Sequence, residues 1–473
     1  MWTLLVAWVC AAERIEIPMD KTDDMNLVRV ESAGVLVYIQ RAGERKSYEI
    51  RAYDGDLNPT WTETTPARAK QLEWDSDADS LSAWMVASAG TKAFVLRTVV
   101  ADGKTEQVDL PVKGLIVSQR VVADGVGGAW TVMTSTKGDQ LTYVGPDALS
   151  VAVPIGKKRL VMSLERGTAG EVLASLRGLR QRRGEPLDLL SLKQGAIARS
   201  VSLTADEDIV LQAGRVAPTE SQTLVIGTWG RTATLAEGVF TSVLDPNGVP
   251  SAPRTVRFAE LKNFYDWKSD GAEERLEAKA EKKQDKGKET KDRVLLAVHS
   301  AVVTPEGTAI VAAEALRANY RYVTTTEVVN GVTHTVTTRV FIGWSVPNAY
   351  LFGIAADGTI SWDQSIKLGI PPAMKITPHL RLVPEQGGSV AAIFALGRKL
   401  HRVSLKDGEF TGPVEGVSAA DVHADPEVFK RSVWADSGWW YDERFLAFGV
   451  DKVKDSEEGR VFWAAPIDSS SEH

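Results

Sequence analysis

Short stretches of alternating apolar and polar residues recur along the chain from Leu27 onward. Runs such as 34–39, 92–99 and 223–227 are rich in β-branched residues, which favours strands over helices in segments this short. Asp-Gly and Asn-Gly pairs supply the positive φ angles that tight hairpin turns need. Such pairs stand at 102–103, 124–125, 247–248, 330–331, 357–358 and 407–408. The pattern predicts an all-β fold built from hairpins.

The length of the chain narrows the choice among all-β folds. Most of the 473 residues read as strand and turn, too many for one sandwich but suited to seven or eight propeller blades of about 40–50 residues. Units of similar plan begin near Leu27, Ser80, Val117, Leu160, Ile209, Val294, Ile376 and Val433. Tryptophans that we expect to pack between sheets recur in these units, at Trp61, Trp84, Trp130, Trp229, Trp362 and Trp434. We predict one seven- or eight-bladed β-propeller over residues 13–467, with a disordered tail at 468–473.

Two segments interrupt the repeating pattern. Residues 264–293 include a tract, 273–293, with eight basic and seven acidic residues, and this mixture of signs predicts a solvated helix. Residues 322–341 are rich in Thr and Val around Asn330-Gly331, which predicts a long β-hairpin arm. The arm either packs on its own blade or contacts a partner. Its candidate partner-binding residues are Thr325, Glu327, Asn330, His334 and Thr335.

The first twelve residues are uncharged and mostly apolar. They are too few to span a bilayer, which needs about 20 residues, and they resemble a signal peptide with cleavage after Ala11 or Ala12. A lipid anchor on Cys10 and a buried first strand are the alternatives. No later stretch is apolar enough to cross a membrane. We therefore expect export to the periplasm or the cell surface.

Charge and motifs exclude several classes of protein. The 55 basic and 62 acidic residues give a net charge of −7, which argues against nucleic-acid binding. Motifs of serine hydrolases, zinc peptidases, phosphate-binding loops and dinucleotide-binding units are absent. The six histidines are scattered, and one cysteine cannot form an internal disulfide. The sequence favours a non-catalytic role and leaves enzymatic activity open.

Two small clusters are candidate ligand sites. Asp75, Asp77 and Asp79 alternate along a predicted loop, and alternating carboxylates can converge on calcium. The EF-hand template fails, because Ser80 and Val86 stand where it needs Gly and Glu. An anion such as phosphate or carboxylate could bind the guanidinium groups of Arg177, Arg180, Arg182 and Arg183. Solvated surface charge without a ligand is the favoured interpretation of either cluster. No other cofactor is predicted.

The second half of the chain resembles a known family. The segments that carry the resemblance are 264–265, 295–299, 313–314, 357–363, 439–449 and 459–462. Together they resemble uncharacterised exported bacterial proteins with propeller-like repeats, over roughly residues 264–467. The Thr-rich tract after Glu314 departs from the Gly-Tyr-rich loop of that family. The resemblance implies the fold and export, and it implies no activity or catalytic residue.

Three functions are consistent with these observations. The leading hypothesis is a monomeric, non-catalytic scaffold or binding module of the bacterial cell envelope, whose partner is an envelope protein or a polysaccharide. The first alternative is a hydrolase or lyase that acts on polysaccharide, which requires paired carboxylates at the propeller axis. The second alternative is a calcium-dependent surface adhesin.

Overall fold

The structure is a computed structural model. It describes residues 14–20, 23–30, 33–41, 47–65, 71–77, 81–89, 91–112, 114–156, 158–167, 170–219, 222–264, 294–329, 332–374, 376, 378–385, 388–396, 399–418, 429–439, 444–453 and 460–468. The strands in this part of the chain form eight four-stranded antiparallel sheets. We number these sheets 1 to 8 by the position of their first strand.

The first four sheets are simple meanders. Sheet 1 contains β2 (Asp24–Val30), β3 (Gly34–Gln40), β4 (Tyr48–Tyr53) and β5 (Pro59–Thr65). Sheet 2 contains β6 (Gln71–Asp77), β7 (Ser82–Ala89), β8 (Lys92–Val99) and β9 (Thr105–Leu110). Sheet 3 contains β10 (Ile116–Ala123), β11 (Ala129–Ser135), β12 (Gly138–Val144) and β13 (Ser150–Val153). Sheet 4 contains β14 (Arg159–Arg166), β15 (Val172–Gly178), β16 (Leu187–Lys193) and β17 (Ala196–Leu203).

Three more sheets repeat this order, and the last one combines both parts of the chain. Sheet 5 contains β18 (Val210–Pro218), β19 (Thr223–Gly230), β20 (Gly238–Leu244) and β21 (Arg254–Arg257). Sheet 6 contains β22 (Leu295–Val303), β23 (Ala309–Val329), β24 (Val332–Ile354) and β25 (Ile360–Ala373). Sheet 7 contains β26 (Leu380–Pro384), β27 (Val390–Leu396), β28 (Lys399–Lys406) and β29 (Glu409–Ser418). Sheet 8 contains β30 (Phe429–Trp439), β31 (Arg444–Val453), β32 (Arg460–Asp468) and β1 (Ile15–Met19).

The sheets pack face to face in a closed ring. A hydrophobic cluster joins sheet 1 to sheet 2, and similar clusters follow between successive sheets as far as sheet 7. Sheet 7 contacts sheet 8 through β27 and β30, and sheet 8 packs on sheet 1. The fold is therefore all-β and propeller-like, with first strands at the ring's interior and fourth strands at its periphery.

Burial along the strands follows from this packing. The second strands β3 and β19 are buried at nearly every position, because neighbouring sheets cover both of their faces. The fourth strand β17 is exposed along most of its length. Trp84 and Trp130 are fully buried between sheets, and the Trp61 indole donates a hydrogen bond to Val100 O (2.7 Å). The expected packing of tryptophan between sheets is confirmed at these positions.

The two predicted insertions have different outcomes. The predicted charged helix over 264–293 lies outside the described residues except for Phe264, whose ring stacks on Phe258 and on Tyr350 at 4.5 Å. The hairpin arm is present and longer than predicted, because β23 and β24 stay paired from Ala309↔Ile354 to Val329↔Val332. In the described part of the chain, no helix has the length and apolar character that a membrane crossing requires. Residues 1–13 and 469–473 lie outside this part, and Asp468, the first residue of the predicted disordered tail, is the last residue of β32.

Candidate functional site

The ring has two structurally distinct ends. In an antiparallel meander, the first and third turns lie at one end of the sheet and the second turn at the other. First turns of neighbouring sheets touch: Val126 lies over Gly170, and Glu306 lies over Gly388. The first turns of sheets 3 and 4, and those of sheets 6 and 7, therefore lie at the same end, as in a propeller whose sheets share one orientation. We call the end with the first and third turns the turn end, and the end with the second turns and the inter-sheet connections the arm end.

The turn end is strongly acidic. Carboxylates occupy its described turns at Asp54, Asp56, Asp102, Asp124, Asp147, Glu171, Asp245, Glu306, Asp357, Glu385 and Asp407. Lys104 is the single basic residue in these described turns. Several carboxylates cap their own turn: Asp54 Oδ1, for example, accepts hydrogen bonds from the backbone N–H groups of Asp56 (2.9 Å) and Asn58 (2.8 Å). The acidity of this end thus arises largely from turn chemistry.

The arm end has a mixed charge, and its arm is basic. We define the arm as residues 317–345, which extend beyond the pairing of β23 with β22 at Leu295↔Leu316. Within its described side chains, every charged group is an arginine: Arg317, Arg321 and Arg339. A basic segment on a chain of net charge −7 favours contact with a negatively charged partner.

One face of the arm presents aromatic rings to solvent. Cross-strand pairing places Tyr320 opposite Phe341 and Tyr322 opposite Arg339. Tyr320 and Tyr322 are 42% and 71% exposed. The Arg339 guanidinium carbon lies 3.6 Å from the centroid of the Tyr320 ring, and Phe341 meets Tyr320 edge-on at 5.5 Å. We call these four side chains the arm patch. Tyrosine and arginine are the residue types that dominate binding energy at protein interfaces.

The edges of the arm are open. β24 pairs with β25 only from Trp344 onward, and β23 pairs with β22 only up to Leu316. Between these limits, neither outer edge of the two-stranded arm has a strand neighbour in the described part of the chain. Unpaired backbone N–H and C=O groups at such edges can add a strand from another polypeptide.

Arginines occupy the interior of the ring. The first strands β10, β14, β18 and β22 each contain a register shift, and β14 and β22 shift at Met162 and His299. Arg120 Nη1 donates to Met162 O (2.8 Å), and Arg215 Nε donates to Val298 O (3.1 Å). Bulges free backbone carbonyls from the ladder. These guanidinium groups therefore join the first strands of neighbouring sheets.

Two carboxylates accompany these arginines near the axis. Glu165 pairs with Arg215. The pKa of Glu165 is raised, because the effect of burial exceeds the lowering effect of Arg215. The nearby charge of Asp75 raises this pKa further. Asp75 Oδ2 accepts hydrogen bonds from Ala123 N (2.8 Å) and Arg166 Nη2 (3.4 Å). Both carboxylates thus link strands of different sheets.

A buried histidine–glutamate pair joins sheets 6 and 7. Glu314 Oε1 accepts hydrogen bonds from His379 N (2.6 Å) and Leu380 N (2.8 Å), and it lies 3.1 Å from His299 Nε2. Burial lowers the pKa of His299. Burial opposes ionisation of Glu314, but the interaction with His299 and the two backbone donors outweigh it and lower the pKa of Glu314. The pair anchors the start of β26.

This pair predicts how stability depends on pH. A lowered histidine pKa stabilises the folded chain at neutral pH, and that contribution is lost as pH falls below the ordinary value of 6.5. The contribution of Glu314 is lost below 4.5 by the same reasoning. We expect His299→Gln to flatten the decline in unfolding free energy between these pH values, by up to about 1.4 kcal/mol per pH unit. Urea unfolding followed by tryptophan fluorescence measures this, and an unchanged slope would contradict the assignment.

The proposed calcium residues do not form the loop that the sequence suggested. Asp75 and Asp77 belong to strand β6, which pairs with β7 from Gln71↔Ser88 to Asp77↔Ser82. Asp79 and the side chain of Asp77 lie outside the description. Among the described residues, no group of three or more His, Cys, Asp or Glu side chains is arranged to hold a metal ion. Calcium binding stays a prediction.

The four arginines proposed to bind an anion divide into two groups. Arg177 lies on β15 and turns inward, where it donates to Ala233 O (2.7 Å), and burial lowers its pKa. Arg180, Arg182 and Arg183 are exposed in the turn before β16, and Arg183 Nε donates to Arg231 O (3.2 Å). Three guanidinium groups, not four, thus remain at the surface of this turn. Anion binding there stays a prediction.

The partner-binding residues proposed on the hairpin lie toward the arm's tip. Thr325 and Thr335 are exposed, and Thr325 Oγ1 donates to Val336 O (3.4 Å). Glu327 pairs with His334 across the strands, although their side chains, like Asn330, lie outside the description. Sequence reasoning missed the arm patch. The sequence contained a usable signal at the base of the predicted hairpin. Tyr320 and Tyr322 alternate on one strand, and a hairpin places Phe341 and Arg339 opposite them.

Comparisons with known proteins show distant likenesses to solved structures. No protein-family model matches the chain, and no curated protein matches it. A structure from a study of two prolyl endopeptidases is 9% identical in sequence, with a TM-score of 0.42. The match covers 93% of this chain and 56% of that chain. A dihydro-heme d1 dehydrogenase is 12% identical, with a TM-score of 0.44 over 97% of this chain and 79% of that one.

A third likeness is to hydrazine synthase of Kuenenia stuttgartiensis. It is 8% identical, with a TM-score of 0.35 over 61% of this chain and 75% of that chain. With TM-scores this low, none of the three likenesses carries an inference about chemistry. The arguments for function therefore rest on the described residues themselves.

Proposed function

We propose that the chain is an exported, eight-bladed β-propeller of the bacterial cell envelope that serves as a non-catalytic docking scaffold. Its partner is a protein with an acidic, extended segment. The observation that carries this proposal is the arm patch: Tyr320, Tyr322, Arg339 and Phe341 share one exposed face of a two-stranded arm. The eight sheets and the packing of sheet 8 on both neighbours support the blade count.

Charge and backbone chemistry favour a protein as the partner. The arginines of the arm complement an acidic segment, and its open edges offer backbone hydrogen bonds that a peptide strand can use along its whole length. A polysaccharide could stack on the tyrosines but has no peptide backbone to extend the ladder. The carboxylates near the axis also favour a scaffold over an enzyme, because arginines already pair with them. Asp75 contacts Arg166, and Glu165 contacts Arg215.

The test begins with site-specific cross-linking in intact cells. A photoreactive side chain replaces Thr324 on the arm or, as a control, Leu149 at the turn end; both positions are exposed. We expect a protein adduct specific to position 324, identified by mass spectrometry and then purified for affinity measurement. A carbohydrate adduct at position 324 would show a polysaccharide partner, and products shared by both positions, or none, would overturn the proposal.

Substitutions in the purified chain then measure the role of the arm patch. Tyr322→Ala combined with Arg339→Ala should weaken binding of the cross-linked partner about 10- to 100-fold, because it removes two interface anchors. The matched control combines Leu149→Ala with Lys104→Ala, which removes an exposed apolar side chain and a cation at the turn end. Wild-type affinity of the arm variant would overturn the docking role.

Export is tested separately. Mass spectrometry of the mature amino terminus should find a chain that begins after Ala11 or Ala12, or at an acylated Cys10 if the chain is lipid-anchored. Retention of Met1 in the cytoplasmic fraction would overturn export without affecting the docking role of the arm.

A further inference from the structure

A groove opens between sheets 4 and 5 at the turn end, far from the arm patch in the fold. Its volume is about 260 Å³. Leu173, Leu189, Val216 and Leu244 form part of its lining and belong to the hydrophobic contact between the two sheets. The groove therefore has apolar side chains at its base, where it meets the core, and a lining that is otherwise largely polar.

Arg199 is the basic residue of this groove. It lies on the exposed strand β17, and its Nη1 sits against Gly248 in the turn after β20. Gly248 has a φ of 74°, and a side chain there would collide with the guanidinium group. The guanidinium group of Arg199 forms neither a hydrogen bond nor an ion pair with the described residues, whereas the Arg199 backbone pairs with Ser191 of β16. Its N–H donors are therefore available to a ligand.

Carboxylates line the same groove. Glu171 accepts a hydrogen bond from Ser191 Oγ, and Asp245 Oδ1 accepts one from Val249 N (2.7 Å). An ionised carboxylate can accept several hydrogen bonds, so both groups keep acceptor capacity. The groove thus combines a cationic group, two anionic groups and an apolar base in a small volume.

We propose that this groove binds a small zwitterion with an apolar body, of the class of apolar amino acids and dipeptides. The ligand's carboxylate pairs with Arg199, its ammonium group pairs with Glu171 and Asp245, and its side chain covers Leu189 and Val216. Ligand sites usually combine an apolar lining with a few polar groups, in volumes of about 300–1,000 Å³. At about 260 Å³ the groove lies just below that range, which favours a small ligand.

Calorimetry with three probes tests the proposal on the full chain. Leucyl-leucine carries both charges, N-acetyl-leucine lacks the ammonium group, and leucinamide lacks the carboxylate. We expect leucyl-leucine to bind at least about tenfold more tightly than either of the other two, because each of those leaves one ionic contact unmade. Equal binding of N-acetyl-leucine would overturn the zwitterion assignment, and so would no binding of leucyl-leucine at millimolar concentration.

Variants locate the site. Arg199→Gln should weaken leucyl-leucine binding about tenfold or more, whereas Lys193→Gln, an equal change of charge on the neighbouring strand β16 and outside the groove, should leave it unchanged. Arg180→Gln, in the exposed turn before β16 and outside the groove, should also leave leucyl-leucine binding unchanged. Loss of binding in Arg180→Gln or Lys193→Gln, or wild-type binding in Arg199→Gln, would overturn the assignment. A thermal melt confirms that each variant is folded.

Discussion

Glu314→Ala should lower the free energy of unfolding by about 3–5 kcal/mol, because each hydrogen bond to a buried charged group contributes about 1.5–3 kcal/mol. The substitution leaves the N–H groups of His379 and Leu380 without their acceptor, and it removes the carboxylate beside His299. Because these groups hold β26 against sheet 6, the loss affects a contact between sheets. Denaturant unfolding at pH 7 gives the measurement.

Two further variants make this test specific. Glu314→Gln keeps an acceptor oxygen and should lose less, about 1–3 kcal/mol. Glu306→Ala removes an exposed carboxylate from a turn of the same sheet and should change stability by no more than about 0.5 kcal/mol. If Glu314→Ala were as mild as Glu306→Ala, the buried carboxylate would not anchor sheet 7.

Ile17→Asp should prevent the ring from closing. Ile17 is fully buried in β1 opposite Phe462, and an isolated carboxylate at this position would lose its hydration without gaining a partner. Ile17→Ala should lower the free energy of unfolding by about 2–5 kcal/mol through the cavity that it leaves. The aspartate variant should cost more than this, a large part of the roughly 5–15 kcal/mol that stabilises a folded domain.

Equilibrium unfolding and limited proteolysis check the role of β1. Asp20→Asn is the matched control, because Asp20 is an exposed carboxylate directly after β1; its effect should stay within about 0.5 kcal/mol. A wild-type midpoint for Ile17→Asp would show that β1 does not contribute to the pairing of sheet 8.

The repeating plan of the fold was predictable because its signals are local. Gly103, Gly125, Gly248, Gly358 and Gly408 all have positive φ angles in the predicted turns. The first strands of the sheets begin close to the predicted unit starts, except in sheet 2. There, β6 reads QLEWDSD, and its acidic residues suggested a loop and a calcium site. The strand accommodates the polar side chain of Asp75 because Arg166 pairs with it in the ring interior.

The interior contacts and the groove could not be predicted in the same way. Arg120 and Arg215 contact carbonyls that register shifts release, and no sequence pattern marks where a strand will bulge. A charged residue inside an apolar first strand was the only available hint. Arg199 and Asp245 lie on different sheets and line the same groove, so this arrangement depends on packing between the sheets rather than on their own hairpins.

Among the described residues, the unequal charge of the two ends points to an electric dipole roughly along the axis of the ring. Carboxylates dominate the described turns at one end, and the arginines of the arm lie at the other. A charge distribution of this kind rotates a molecule in the field of an anionic surface before any contact forms. The chain should therefore approach such a surface with Tyr322 and Arg339 leading, and added salt should weaken this alignment.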